Sequence, residues 1–178
     1  MFSAPSHKPL PRQGDPRKFA QQGISLDGVI PIVALPRLAE SLEGTEGQVF
    51  VKLDFGISEE GKKVVSGKAH ADLVLVCQRC LTPVSKPVEC DISLAIVWTE
   101  EEAKALPKHL DPWIVEEISA DFFEMVEEEL LLSLPPVAYH EEQCVDPELF
   151  QSGEPVVVKH EKKNPFQVLE QLKSSPKK

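Results

Sequence analysis

The sequence predicts an α+β fold: an antiparallel β-meander sheet with a few short helices packed on or beside it, an extended N-terminal arm and a C-terminal helical tail. Three observations predict it. Successive segments in the middle of the chain alternate apolar and polar residues with period two, the pattern of half-buried strands. One later segment repeats its apolar residues at helical spacing between an N-cap and a Pro-Pro stop. The 16 prolines in 178 residues favour extended connections over a helix bundle.

Taken in order, residues 1–23 are rich in Pro, Gln and basic side chains and read as an extended arm. A short element follows at 24–32. Leu35, Leu38, Ala39 and Leu42 recur at helical spacing, and Pro36 suits a first turn. Val49, Val51, Leu53, Phe55 and Ile57 then fall on one face of a strand. A turn at Glu59-Glu60-Gly61 leads into a second strand with Ala69, Ala71, Leu73, Leu75 and Cys77 in phase. A third aligns Val88, Cys90, Ile92, Leu94, Ile96 and Trp98. Neighbouring strands of this kind pair antiparallel with one face packed.

Glu100 to Ala105 reads as an exposed helical turn ended before Pro107, and Pro112 to Val115 as one more short strand. The clearest helix starts near Ser119 as N-cap, with Asp121 in its first turn, and stops at Pro135-Pro136. Its wheel groups Phe122, Phe123, Met125, Val126, Leu130 and Leu132, turns Glu124, Glu127 and Glu128 away, and leaves Glu129 on the apolar face. Asn164-Pro165 opens a last amphipathic helix marked by Phe166, Leu169 and Leu172. The expected divisions are a basic arm (1–23), an α+β core (24–145), a linker (146–163) and a helix with a basic tail (164–178).

The formal charge of −10 is unevenly spread. Lys8, Arg12, Arg17 and Lys18 face only Asp15 before Gln21, and six lysines from Lys159 onward face Glu161 and Glu170. The middle is therefore strongly acidic and repels phosphate, which confines any RNA contact to basic side chains at the ends. The first residues lack the apolar core of a signal peptide, and no apolar run approaches membrane-spanning length. A cytoplasmic protein is expected, with reduced thiols.

Cys77-Gln78-Arg79-Cys80 ends the second strand and forms the turn into the third. Two thiolates at that spacing supply half of a tetrahedral metal site. His140 and Cys144, four residues apart in a polar loop, are the candidates for the other half, and zinc is the metal such a Cys3His set would take. Plain reduced thiols and a dithiol redox pair are the alternatives, although the redox motif belongs at a helix N-terminus after a βαβ unit, which is lacking here. Cys90 is in phase with core residues and is set aside. Arg79 at the turn can grip a phosphate or pair with a nearby carboxylate. No Gly-rich phosphate loop, nucleophile elbow or converging acid–base pair is found, so no catalytic residue is expected.

Several stretches in order carry a resemblance: Asp15-Pro16-Arg17, Cys77-Gln78-Arg79-Cys80-Leu81, Glu100-Glu101-Glu102-Ala103-Lys104-Ala105, Val126-Glu127-Glu128-Glu129-Leu130, His140 to Cys144, and Asn164-Pro165-Phe166. Together they resemble the bacterial large ribosomal RNA subunit accumulation protein family over nearly the whole chain. The resemblance implies a non-enzymatic accessory factor for 23S ribosomal RNA synthesis, processing or accumulation in large-subunit biogenesis. Its partners would be large-subunit ribosomal components or precursor ribosomal RNA, with no membrane and no small-molecule substrate. The candidate contacts are Arg12, Arg17, Lys18, Arg79, Phe166, Leu169 and Leu172. A thiol redox protein using Cys77 and Cys80, or a general interaction adaptor docking through residues 166–172, are the competing functions.

Overall fold

The period-two segments form the central strands of a five-stranded sheet. In the computed structural model, residues 8–146 are described. Strands β2 (Ser25–Pro31), β3 (Gln48–Ile57), β4 (Lys63–Val76) and β5 (Pro83–Val97) follow one another antiparallel, after a short β1 (Gln13–Gly14). The registers Val51↔Ala69 and Ala69↔Cys90 bring the predicted apolar phases onto one face. Val49, Leu53, Val65, Leu73 and Ile92 are fully buried there. The opposite face carries Ser66, Lys68, His70 and Asp72, and Lys68 bonds Glu89 at 3.1 Å and Asp91 at 2.9 Å. His70 stacks on Phe50 at 5.0 Å.

Gly67 is where β3 and β4 approach too closely for any side chain. A Cβ there would run into the backbone carbonyl of Lys52. Gly67→Val should therefore push the strands apart and destabilise the fold by about 1–3 kcal/mol, readable as a lowered midpoint in urea at unchanged slope.

The antiparallel meander is right for four strands, and the fifth departs from it. β6 (Asp111–Ile114) pairs with β5 in parallel, with Ile96 opposite Trp113, and makes the sheet mixed. Residues 98–110 include helix α3 (Glu100–Lys104) and carry the chain back along β5, the kind of crossover a parallel partner requires.

The arm is also corrected from residue 8 onward. Gln13–Gly14 pairs with β7 (Ala120–Asp121), and helix α1 (Pro16–Gln22) follows. Asp15 caps it by accepting from the backbone N–H groups of Arg17 (3.1 Å) and Lys18 (3.0 Å), Pro16 opens it, and Gly23 closes it at φ 63°. Its polar composition hides an apolar side: Ala20 is buried, and Phe19 lies 5.6 Å from Phe55 and 5.9 Å from Phe122.

Helix α4 (Phe122–Ser133) starts two residues later than expected. Ala120 and Asp121 are held extended by pairing with β1, so Asp121 rather than Ser119 caps the helix, accepting from Phe123 N (2.9 Å) and Glu124 N (3.2 Å). Its buried arc is rotated relative to the predicted wheel. Leu132 is 82% exposed, whereas Glu127 is only 4% exposed. Helix α2 (Pro36–Glu40) lacks a side-chain cap of its own, and the Glu127 carboxylate accepts from Leu38 N at 3.0 Å in its first turn. A buried carboxylate is tolerated because it satisfies an otherwise orphaned donor.

Glu129 is half-buried, and burial, aided by Asp111 and Glu128, holds its carboxyl above the usual range. The unfolded chain then loses this proton first. The group penalises the fold as pH rises above the ordinary carboxylate range, and the full penalty is reached above its raised folded value. Glu129→Gln should raise the melting temperature at pH 7 and leave it unchanged at pH 3, where the wild-type carboxyl is protonated in both states.

The chain falls into two units, Met1–Cys144 and Val145–Lys178. The predicted helix with Phe166, Leu169 and Leu172, and nearly all of the predicted 146–163 linker, lie outside the described residues.

Candidate metal centre

Strand β4 buries Cys77 at its end because Cys77 continues the inward phase of Leu73 and Leu75. The chain then reverses through a tight turn. Cys77 N donates to Thr82 O and Leu81 N to Cys77 O, both at 2.9 Å, and Leu81 takes φ 58°. This brings Cys80 back beside Cys77. A second segment, the strap that follows α4 and the Pro135-Pro136 stop, crosses the turn. Gln78 N donates to Ala138 O at 2.9 Å. Arg79 donates to the backbone carbonyls of His140 and, at 2.9 Å, Glu142, with its guanidinium 5.2 Å from the Tyr139 ring. Leu75, Cys77, Val84 and Ala138 form a small core separate from the main one.

The strap delivers His140 and Cys144 to the turn. The ligand atoms of Cys77, Cys80, His140 and Cys144 all lie within 4.8 Å of one another. Cys77 Sγ is 3.7 Å from Cys144 Sγ, and Cys80 Sγ is 3.4 Å from His140 Nδ1. Tetrahedral zinc with ordinary bond lengths has S···S edges of roughly 3.7 Å and S···N edges of roughly 3.6 Å. These two donor pairs therefore fit such an ion. The imidazole orientation fits as well. His140 Nε2 lies 3.2 Å from Pro83 O, which can only accept, so Nε2 carries the hydrogen and the Nδ1 lone pair faces the sulfurs.

The four groups shift in different directions. Burial works to raise Cys77, but backbone N–H groups of Cys80, Arg79 and His140 and the Cys80 side chain outweigh it and lower its pKa to about 5. Hydrogen bonds from the Thr82 side chain and backbone pull Cys80 down. Burial and its bonds to Cys80 and Cys77 push Cys144 up. The bond to Cys77 raises His140 against the effect of burial. A lowered thiol also marks a nucleophile; Cys77 has no exposed surface, whereas Cys80 is partly exposed. Four protein donors around one ion would leave no position for a reacting water, which is the arrangement of structural zinc sites. Cys90 sits apart in β5, where burial pushes its thiol up.

The predicted contact residues scatter. Arg12 is exposed and bonds Asp121 at 2.9 Å. Arg17 is 6% exposed and is taken up inside the fold. Its guanidinium donates to the carbonyls of Val115 and Glu117 and lies 3.0 Å from the centre of the Trp98 ring. It braces α1 against the segment after β6, and burial lowers its pKa. Lys18 is exposed. Arg79, bonded to the carbonyls of His140 and Glu142, ties the strap down. The roles of Glu127 and Arg17 had no signal in the sequence, since each is defined by backbone groups about 90 to 100 positions away.

A mixed α+β sheet whose central hairpin carries a Cys3His cluster at one tip defines the class: an α+β protein with a four-residue group that could hold a metal ion. Residues 65–173, which include all four cluster residues, match the family described as large ribosomal RNA subunit accumulation protein YceD, and the chain belongs to that family. The large ribosomal RNA subunit accumulation protein YceD of Haemophilus influenzae is similar, with 32% identity over 167 residues that span 92% of this chain and 96% of that protein. No solved structure matches the chain. Among the described residues no helix is long and apolar enough to cross a membrane.

Proposed function

We propose that this chain is a non-enzymatic accessory factor for the accumulation of 23S ribosomal RNA during large-subunit biogenesis, acting in the cytoplasm through contacts with large-subunit components. Family membership over most of the chain is the observation that carries this reading. The cluster supports it chemically: Cys77, Cys80, His140 and Cys144 would hold one zinc ion, which supplies a cross-link between hairpin tip and strap and no reaction. On the outer face of the sheet Lys52 and Lys68 are paired with Asp54, Glu89 and Asp91, so this face offers phosphate little unpaired positive charge. Contact with basic ribosomal proteins, or with RNA through Lys18 and the basic C-terminal tail, follows from that distribution. The segment 164–178 would be a docking element joined by the 146–163 linker.

The test is depletion of the protein in cells, with the ratio of 23S to 16S ribosomal RNA as readout. The ratio is expected to fall, and to be restored by the wild-type chain. An unchanged ratio would sink the proposal. Metal analysis of native protein is expected to give one zinc per chain.

A further inference from the structure

The turn that carries Cys80 also holds Leu81 in a costly way. Among the described residues Leu81 is the only non-glycine at positive φ, and its side chain is 72% exposed. Left-handed backbone is strained for any residue with a Cβ, and glycine would remove that strain. An exposed leucine gains no packing that would offset it. The same tip presents other apolar surface. The His140 ring lies between Cys80 Sγ and Pro83 O, so the exposed Pro83 and Tyr139 belong to the same tip as Leu81. Glu141 and Glu142 are exposed next along the strap, while the cation of the tip, Arg79, is directed at the carbonyls of His140 and Glu142.

We propose that Leu81, Pro83 and Tyr139 form a docking surface for a basic protein segment that brings an apolar anchor side chain. The apolar centre would receive the anchor, and Glu141 and Glu142 would receive its flanking Lys or Arg. RNA is the disfavoured occupant, because phosphate would meet two exposed carboxylates and an arginine already committed to carbonyls. This deepens the proposed function by naming the chemical class of the partner, and it rests on that reading.

The test uses the full chain with Leu81 replaced by the photo-crosslinking residue benzoylphenylalanine. It is illuminated with large-subunit ribosomal proteins extracted free of RNA and, separately, with 23S ribosomal RNA. Adducts to a basic protein are expected, diminished by Tyr139→Ala and lacking when the crosslinker replaces Ile57, an exposed residue at the end of β3 that pairs with the far end of β4. Leu81→Gly should keep or raise the melting temperature while weakening that protein's binding at least about tenfold, the scale of a central anchor. Adducts to RNA alone, equal adducts from position 57, no adduct at all, or undiminished binding by Leu81→Gly would each overturn the proposal. Zinc content measured on the same samples separates the two readings. Zinc without adducts sinks only the docking surface, and adducts without zinc sink only the zinc site.

Discussion

Stripping the zinc proposed for the Cys3His cluster with a strong chelator at neutral pH is expected to lower the melting temperature by roughly 8–16 °C without unfolding the sheet. An ion bound to the native state alone contributes about 4 kcal/mol when present at a thousand times its dissociation constant. For a chain of this size each kcal/mol shifts the midpoint by roughly 2–4 °C. The loss should be local. The small core of Leu75, Cys77, Val84 and Ala138 is closed by the strap, and the ligands His140 and Cys144 are what the ion would hold against the hairpin tip. Hydrogen exchange should therefore quicken at residues 75–84 and 134–146 and stay slow in β3 and α4. Acid should mimic the chelator, because protons compete with the ion for the thiolates and the imidazole. Cys144→Ser should reproduce the chelated state. Unaltered melting after verified removal of zinc would show that Ala138 and the Arg79 hydrogen bonds hold the strap by themselves.

Phe122→Ala is expected to be the most damaging single substitution in the main core, costing about 3–5 kcal/mol. Phe122 is fully buried at the centre of an aromatic group, with ring centres 5.9 Å from Phe19, 5.7 Å from Phe55 and 6.1 Å from Trp113. It joins α1, β3 and β6 to α4, so the cavity left behind touches every layer and cannot be filled by moving one element. The melting temperature should drop by roughly 10 °C. The number of zinc ions per chain should stay the same, because the metal cluster is backed by a separate small core. Loss of metal together with stability would mean that the two cores fold as one unit.

These two predictions divide along what could be read from the sequence. The strands β3, β4 and β5 were legible because each residue's inward or outward aspect is repeated two positions later, and the Cys-x-x-Cys turn was legible because both thiols lie within four residues. Helix α1 was not, because its apolar side consists of few residues within a basic, proline-rich stretch. The wheel of α4 misassigned Glu127 and Leu132, since a wheel finds the apolar side but not the neighbour against which it packs.

From the sequence alone came the sheet's inner face, the helix α4, the position of the cysteine pair and the family resemblance. Tertiary structure alone decided that β6 runs parallel to β5, that Glu127 caps α2, that Arg17 is buried as a brace, and how close His140 and Cys144, already candidates from the sequence, come to the turn. The physical reason is the range of the interaction. Periodicity and turn chemistry are properties of neighbouring residues, whereas convergence across some 60 positions depends on the path of the chain between them.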